Sequence, residues 1–88
     1  MDEQTILGEL LTLLKDNGIK VRNEPMGGSG GGLCTIKGQS VLFVDTESST
    51  AETATICAET VAKLVNIETI YLRPEVRQYI EEHVGGAW

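Results

Sequence analysis

The chain has 88 residues, 41% of them hydrophobic and 23% charged, and a formal net charge of −6. A chain this short builds one small domain with a thin stability margin, and this composition excludes disorder throughout. Thirteen acidic residues face seven basic ones. With no basic stripe interleaved with aromatics, nucleic acid and anionic membrane surfaces are not expected partners.

In chain order, Met1-Asp2-Glu3-Gln4 lacks the basic start and unbroken apolar run of a secretory leader. The longest strongly apolar run, Val41 to Val44, is too short to span a bilayer, so the expected compartment is the cytoplasm. Ile6, Leu7, Leu10, Leu11, Leu13 and Leu14 recur at helical spacing and predict a first helix over 3–17, stopped by Asn17-Gly18. Ile19 and Val21 alternate with Lys20 and Arg22, giving a short strand with one apolar face that Pro25 ends. Segments 33–37 and 40–45 read as a hairpin turning at Lys37-Gly38-Gln39. Val41-Leu42-Phe43-Val44 is apolar on both faces. That predicts a central strand covered on both sides, or by helices on one side and a second subunit on the other.

Ser49 and Glu52 fit a capping box ahead of a second helix over 50–65, with Ala54, Cys57, Ala58, Val61, Leu64 and Val65 as its buried stripe. Residues 67–72 form a connector with strand character. Pro74 suits the first position of a third helix that turns Val76, Tyr79 and Ile80 inward and ends at Gly85-Gly86. The predicted fold class is α+β, in the order α-β-β-β-α-(β)-α. A small sheet of three or four strands with a central β-hairpin packs against two or three helices. Residues 1–84 make the domain, and 85–88 make a short tail in which two glycines precede Trp88.

The run Gly27-Gly28-Ser29-Gly30-Gly31-Gly32 holds five of the chain's ten glycines. Leu33-Cys34 stands where a phosphate-binding loop has Lys and a hydroxyl residue, and Leu33 replaces the third glycine of a dinucleotide fingerprint. One reading is a plain crossing between strands. The other is an anion site formed by backbone N–H groups at Gly28, Gly30 and Gly31 with Lys20 and Arg22. Arg73 and Arg77, one helical turn apart, are spaced either to clamp a carboxylate or phosphate or to pair with acidic neighbours on the surface.

Cys34 and Cys57 both sit among apolar neighbours and are expected to be buried free thiols. Together with His83 they fall short of a four-ligand zinc site, so no metal and no other cofactor is expected. His83, in the last turn of the third helix, has no nucleophile signature around it, and no catalytic residue is assigned. Glu59 reads as a solvated carboxylate on the second helix.

Gly32-Leu33-Cys34-Thr35-Ile36-Lys37-Gly38, followed by Val41-Leu42-Phe43-Val44-Asp45 and a helix carrying Ala58-Glu59-Thr60-Val61-Ala62, resembles the core of ImmA-type zinc peptidases. The resemblance covers residues 18–65. It implies that Glu59 matches the family's glutamate while Ala58 and Ala62 occupy the zinc-binding histidine positions. The implied protein shares the scaffold and has lost the metal and the activity. The chain as a whole also resembles small bacterial proteins, a likeness that implies no activity. The function expected from the residues is non-enzymatic: self-association, as a homodimer, or binding to another protein. The alternatives are a small-ligand or anion-binding module and a degenerate hydrolase-like domain.

Overall fold

The structure is a computed structural model that describes residues 2–28 and 31–84. Gly30 of the glycine run and the 85–88 tail with Trp88 lie outside the described residues. Helix α1 (Glu3–Asp16) starts at Asp2, whose carboxylate accepts the Thr5 amide at 2.8 Å. Hydrogen bonding from Thr5 holds the Asp2 carboxyl below its ordinary pKa. Ile6, Leu10 and Leu14 are buried, and Leu7, Leu11 and Leu13 pack at the margin of the core.

Strands β1 (Lys20–Glu24), β2 (Gly32–Ile36) and β3 (Gln39–Asp45) form one sheet in the order β1-β3-β2. The middle strand β3 runs parallel to β1 and antiparallel to β2. Lys37 (φ 51°) and Gly38 (φ 79°) are both left-handed, so the hairpin closes through a tight two-residue turn that matches the twist of its strands. Gln39 therefore belongs to β3 rather than to the turn. Its side chain donates to the Gly18 carbonyl at 2.6 Å and ties the hairpin to the start of β1.

Helix α2 (Thr50–Leu64) begins with the capping box expected from Ser49 and Glu52. Helix α3 (Pro74–Val84) closes the described chain. Helices α1 and α2 pack on each other and against one face of the sheet, α1 on β1 and α2 on β3, while α3 packs chiefly on α2. Ala54, Cys57 and Ala58 are fully buried, and their small size lets α2 sit close to its neighbours. Leu10, Leu14, Leu42, Val61, Val76 and Ile80 fill the centre. At the end of α2 the expected stripe holds at the cap residue Val65, which is buried, but not at Leu64, which is 43% exposed.

Residues 67–72 do not become a strand. Asn66 starts a turn closed by the Thr69 amide on its carbonyl at 3.2 Å, and Leu72 is buried as a single apolar anchor ahead of α3. The sheet thus has three strands among the described residues.

The pairing register puts Val21, Leu33, Leu42 and Val44 on the helix-covered face, and Lys20, Arg22, Cys34, Ile36, Val41 and Phe43 on the other. On that other face Val41 is only 4% exposed although no described helix lies over it. Lys20 is beside it in register, and the Arg22 guanidinium stands 5.8 Å from the centroid of the Phe43 ring. Long basic side chains cover apolar strand residues with their stems while keeping their charges wet. The doubly apolar strand is therefore met by helices on one face, and on the other the Arg22 guanidinium lies over its Phe43 ring. Cys57 is buried, as expected; Cys34 is exposed, because its strand position turns it to the uncovered face at the sheet edge. No described helix is long and apolar enough to cross a membrane.

Candidate functional site

Because β1 and β3 are parallel with β2 beyond them, the chain must cross the end of β3 between Glu24 and Gly32. Gly27 and Gly28 lie on one side of that crossing and Gly31 and Gly32 on the other, and β3 supplies its anchors. Asp45, 1% exposed at the end of β3, accepts the Met26 amide and the Glu47 amide at 2.9 Å each on Oδ1, and the Ser48 hydroxyl at 3.3 Å on Oδ2. Glu47 accepts the Gly27 amide at 2.7 Å. On the far side, a Cβ built on Gly31 would overlap the Phe43 carbonyl oxygen, and Gly31 has φ +82°. Only glycine allows the backbone to lie this close to β3 in that conformation. The Met26 and Gly27 amides thus already serve carboxylates of the same chain.

The candidate anion-site residues sit on different elements, with Arg22 opposite Phe43 in the same row as Gly32. Lys20 and Arg22 sit on the uncovered face of β1, where Arg22 pairs with Glu24 at 3.1 Å. Arg73, before α3, pairs with Glu9 of α1 at 2.9 Å. Arg77 donates to the Ile67 carbonyl at 2.9 Å and lies 4.0 Å from Glu68, bracing the connector after α2. Gly28 and Gly31 are at the crossing. His83 stacks on Tyr79, with ring centroids 3.9 Å apart, and its Nδ1 meets the Tyr79 carbonyl at 2.9 Å. Among the described residues the buried Tyr79 hydroxyl has no partner at hydrogen-bond distance; nearby Thr55 directs its own hydroxyl to the Ala51 carbonyl.

One hollow lies between β2 and α2. It is an open groove of about 430 Å³ walled by Gly31, Gly32 and Leu33 on one side and by Ile56, Glu59, Thr60, Ala62 and Lys63 on the other. It runs beside the outer edge of β2, which no described strand pairs. This edge reads Gly-Leu-Cys-Thr-Ile, with no charge and no proline, whereas the opposite edge, β1, carries Lys20, Arg22 and Glu24. Charged side chains protect sheet edges from pairing, and β2 has none. A smaller hollow of about 230 Å³ lies between α1 and the start of α3, at Glu9, Leu13, Tyr71 and Arg73.

Of the helix residues Ala58, Glu59 and Ala62, Ala58 is fully buried in the core, while Glu59 and Ala62 face the groove. Among the described residues, no three His, Cys, Asp or Glu side chains gather as a metal-binding group. Comparison with protein-family models, with curated proteins and with solved structures finds no match. Two features were missed in the sequence. Asp45 is a buried polar anchor disguised as the polar end of an apolar strand. The open edge of β2 becomes visible only once β3 is known to be shared with β1.

Proposed function

We propose that the protein is a non-enzymatic binding module whose working surface is the outer edge of β2 together with the groove beneath α2. The observation that carries this reading is an uncharged strand whose outer edge no described strand pairs, beside an apolar hollow, in a domain whose other edge is charged. An extended polypeptide added to such an edge gains main-chain hydrogen bonds from the strand and side-chain contacts from the groove. Leu33, Ile56 and Ala62, all only partly buried, supply those contacts. An exposed free thiol at Cys34 suits a reducing compartment, which supports a cytoplasmic setting.

The test is selection of peptides from a displayed random library on the immobilised protein. The expected winners are extended sequences with alternating apolar residues and few charges. Their binding is lost in Thr35→Pro, which removes one edge N–H, and kept when the β1 residue Arg22 is replaced by Ala. Selected peptides that ignore Thr35→Pro, or a selection that enriches nothing, contradict the reading.

A further inference from the structure

We infer that the strand received by the β2 edge is β2 of a second copy, paired antiparallel about a two-fold axis at Cys34. This rests on the reading of β2 as a binding edge and names its partner.

The first argument is hydrogen-bond register. In a hairpin closed by a two-residue turn, the residues flanking the turn form a hydrogen-bonded pair, here Ile36 and Gln39. Alternation then directs the N–H and C=O groups of Cys34 and Gly32 toward β3, and those of Leu33 and Thr35 toward the open edge. A two-fold axis at Cys34 pairs Leu33 with Thr35 of the second copy and Thr35 with its Leu33. Each pair exchanges reciprocal hydrogen bonds. This register matches the whole of β2 (Gly32–Ile36) with itself, whereas a shift either way leaves one end unpaired or brings Lys37 into the ladder.

The second argument is shape. In this register Ile36, 44% exposed, lies beside Gly32 of the second copy, where a Cβ meets nothing within 4 Å. The large exposed side chain and the vacant position fit each other, twice per dimer.

The third argument is charge, and it comes from a different element. Glu59 and Lys63 stand one turn apart on the groove wall, both exposed, and neither makes an ion pair among the described residues. Edge pairing about this axis keeps both helix layers on the same side of the joined sheet and brings the two α2 groove walls face to face, antiparallel. Glu59 of each copy then meets Lys63 of the other. Two chains of net charge −6 repel at long range, but this patch is locally neutral and self-complementary.

The test combines sedimentation equilibrium of reduced protein with charge reversal and thiol trapping. Wild type is expected to dimerise reversibly. Glu59→Lys and Lys63→Glu each weaken the dimer by at least about tenfold through like charges meeting across the axis, and the double reversal restores it. Diamide, which takes up the two electrons and two protons released by two thiols, is expected to link Cys34 to its counterpart rapidly. With Cys34→Ser, moving the thiol by Thr35→Cys slows linkage, because diagonal neighbours are about 7–8 Å apart. A reduced wild type that stays monomeric overturns the inference, as does a dimer insensitive to both reversals and linked equally fast from position 35. If monomeric protein still binds library peptides at β2, the second copy is refuted as partner while the binding edge stands; loss of both refutes the two together.

Discussion

At the residue scale, two positions hold the crossing together by opposite means. Asp45 does so by accepting: its buried carboxylate satisfies the Met26 and Glu47 amides, so removing it strands donors inside the fold. Hydrogen bonds to a charged group contribute about 1.5–3 kcal/mol each, so Asp45→Ala is expected to cost about 3 kcal/mol or more in denaturant unfolding. Gly31 does so by lacking a side chain. Gly31→Ala meets both a left-handed backbone and the Phe43 carbonyl, and the backbone strain alone costs about 1–3 kcal/mol. Gly28→Ala, with open space around its Cβ, is expected to be milder. Equal costs for the two glycine variants contradict the account of the crossing.

The cysteines divide by environment. Burial pushes the Cys57 thiol up to about 11, from an ordinary 9.0, while Cys34 is exposed. Cys34 is therefore expected to react quickly with a thiol reagent in native protein, and Cys57 only after unfolding. The same shift has a consequence for stability. Between 9.0 and about 11 the unfolded chain has released the Cys57 proton and the folded chain still holds it. The folded state binds more protons there, so stability falls as pH rises through that window. Burial raises Tyr79 in the same direction. Denaturant midpoints that decline above pH 9.0, with part of the decline removed by Cys57→Ala, are the expected result. A midpoint that climbs with pH there contradicts it.

At the element scale, helices were the most legible part of the sequence. Their signals are local: the Ile6–Leu14 spacing, the Ser49/Glu52 box and Pro74 each act within a turn or two of chain. Ser49→Ala is expected to cost about 1 kcal/mol, read as a drop of about 4–8 °C in melting temperature for a domain of this size; no change means that the box is ornamental. The hairpin was legible for the same reason, since Gly38 marks its turn. The connector at 67–72 was not, because strand character becomes a strand only when a neighbour supplies hydrogen bonds, and Ile70 and Leu72 find core contacts instead. The exposure of Cys34 was hidden likewise. In Leu33-Cys34-Thr35-Ile36 the alternation admits either face, and only the pairing with Val41 chooses one.

At the scale of the whole molecule, the decisive fact is non-local. The parallel pairing of β1 with β3 puts the hairpin's first strand at the rim and requires the chain to cross between β1 and β2 past the end of β3. No short-range pattern announces it. The topology places Lys20 and Arg22 on β1, Gly28 and Gly31 at the crossing, and Arg73 and Arg77 at the start of α3, with each of the three arginines engaged by a carboxylate or carbonyl. The apolar surface proposed for binding lies at an edge and a groove rather than on the strand's second face.

Amide hydrogen exchange along β2, followed as protein concentration is raised, tests the central claim most directly. Cys34 and Ile36 point into the ladder with β3 and should be protected at every concentration. Leu33 and Thr35 point outward, so they should exchange fast in dilute protein and slow down together as a second strand docks. Outward amides that stay fast at all concentrations, and in the presence of selected peptides, contradict the claim that this edge is where the protein binds.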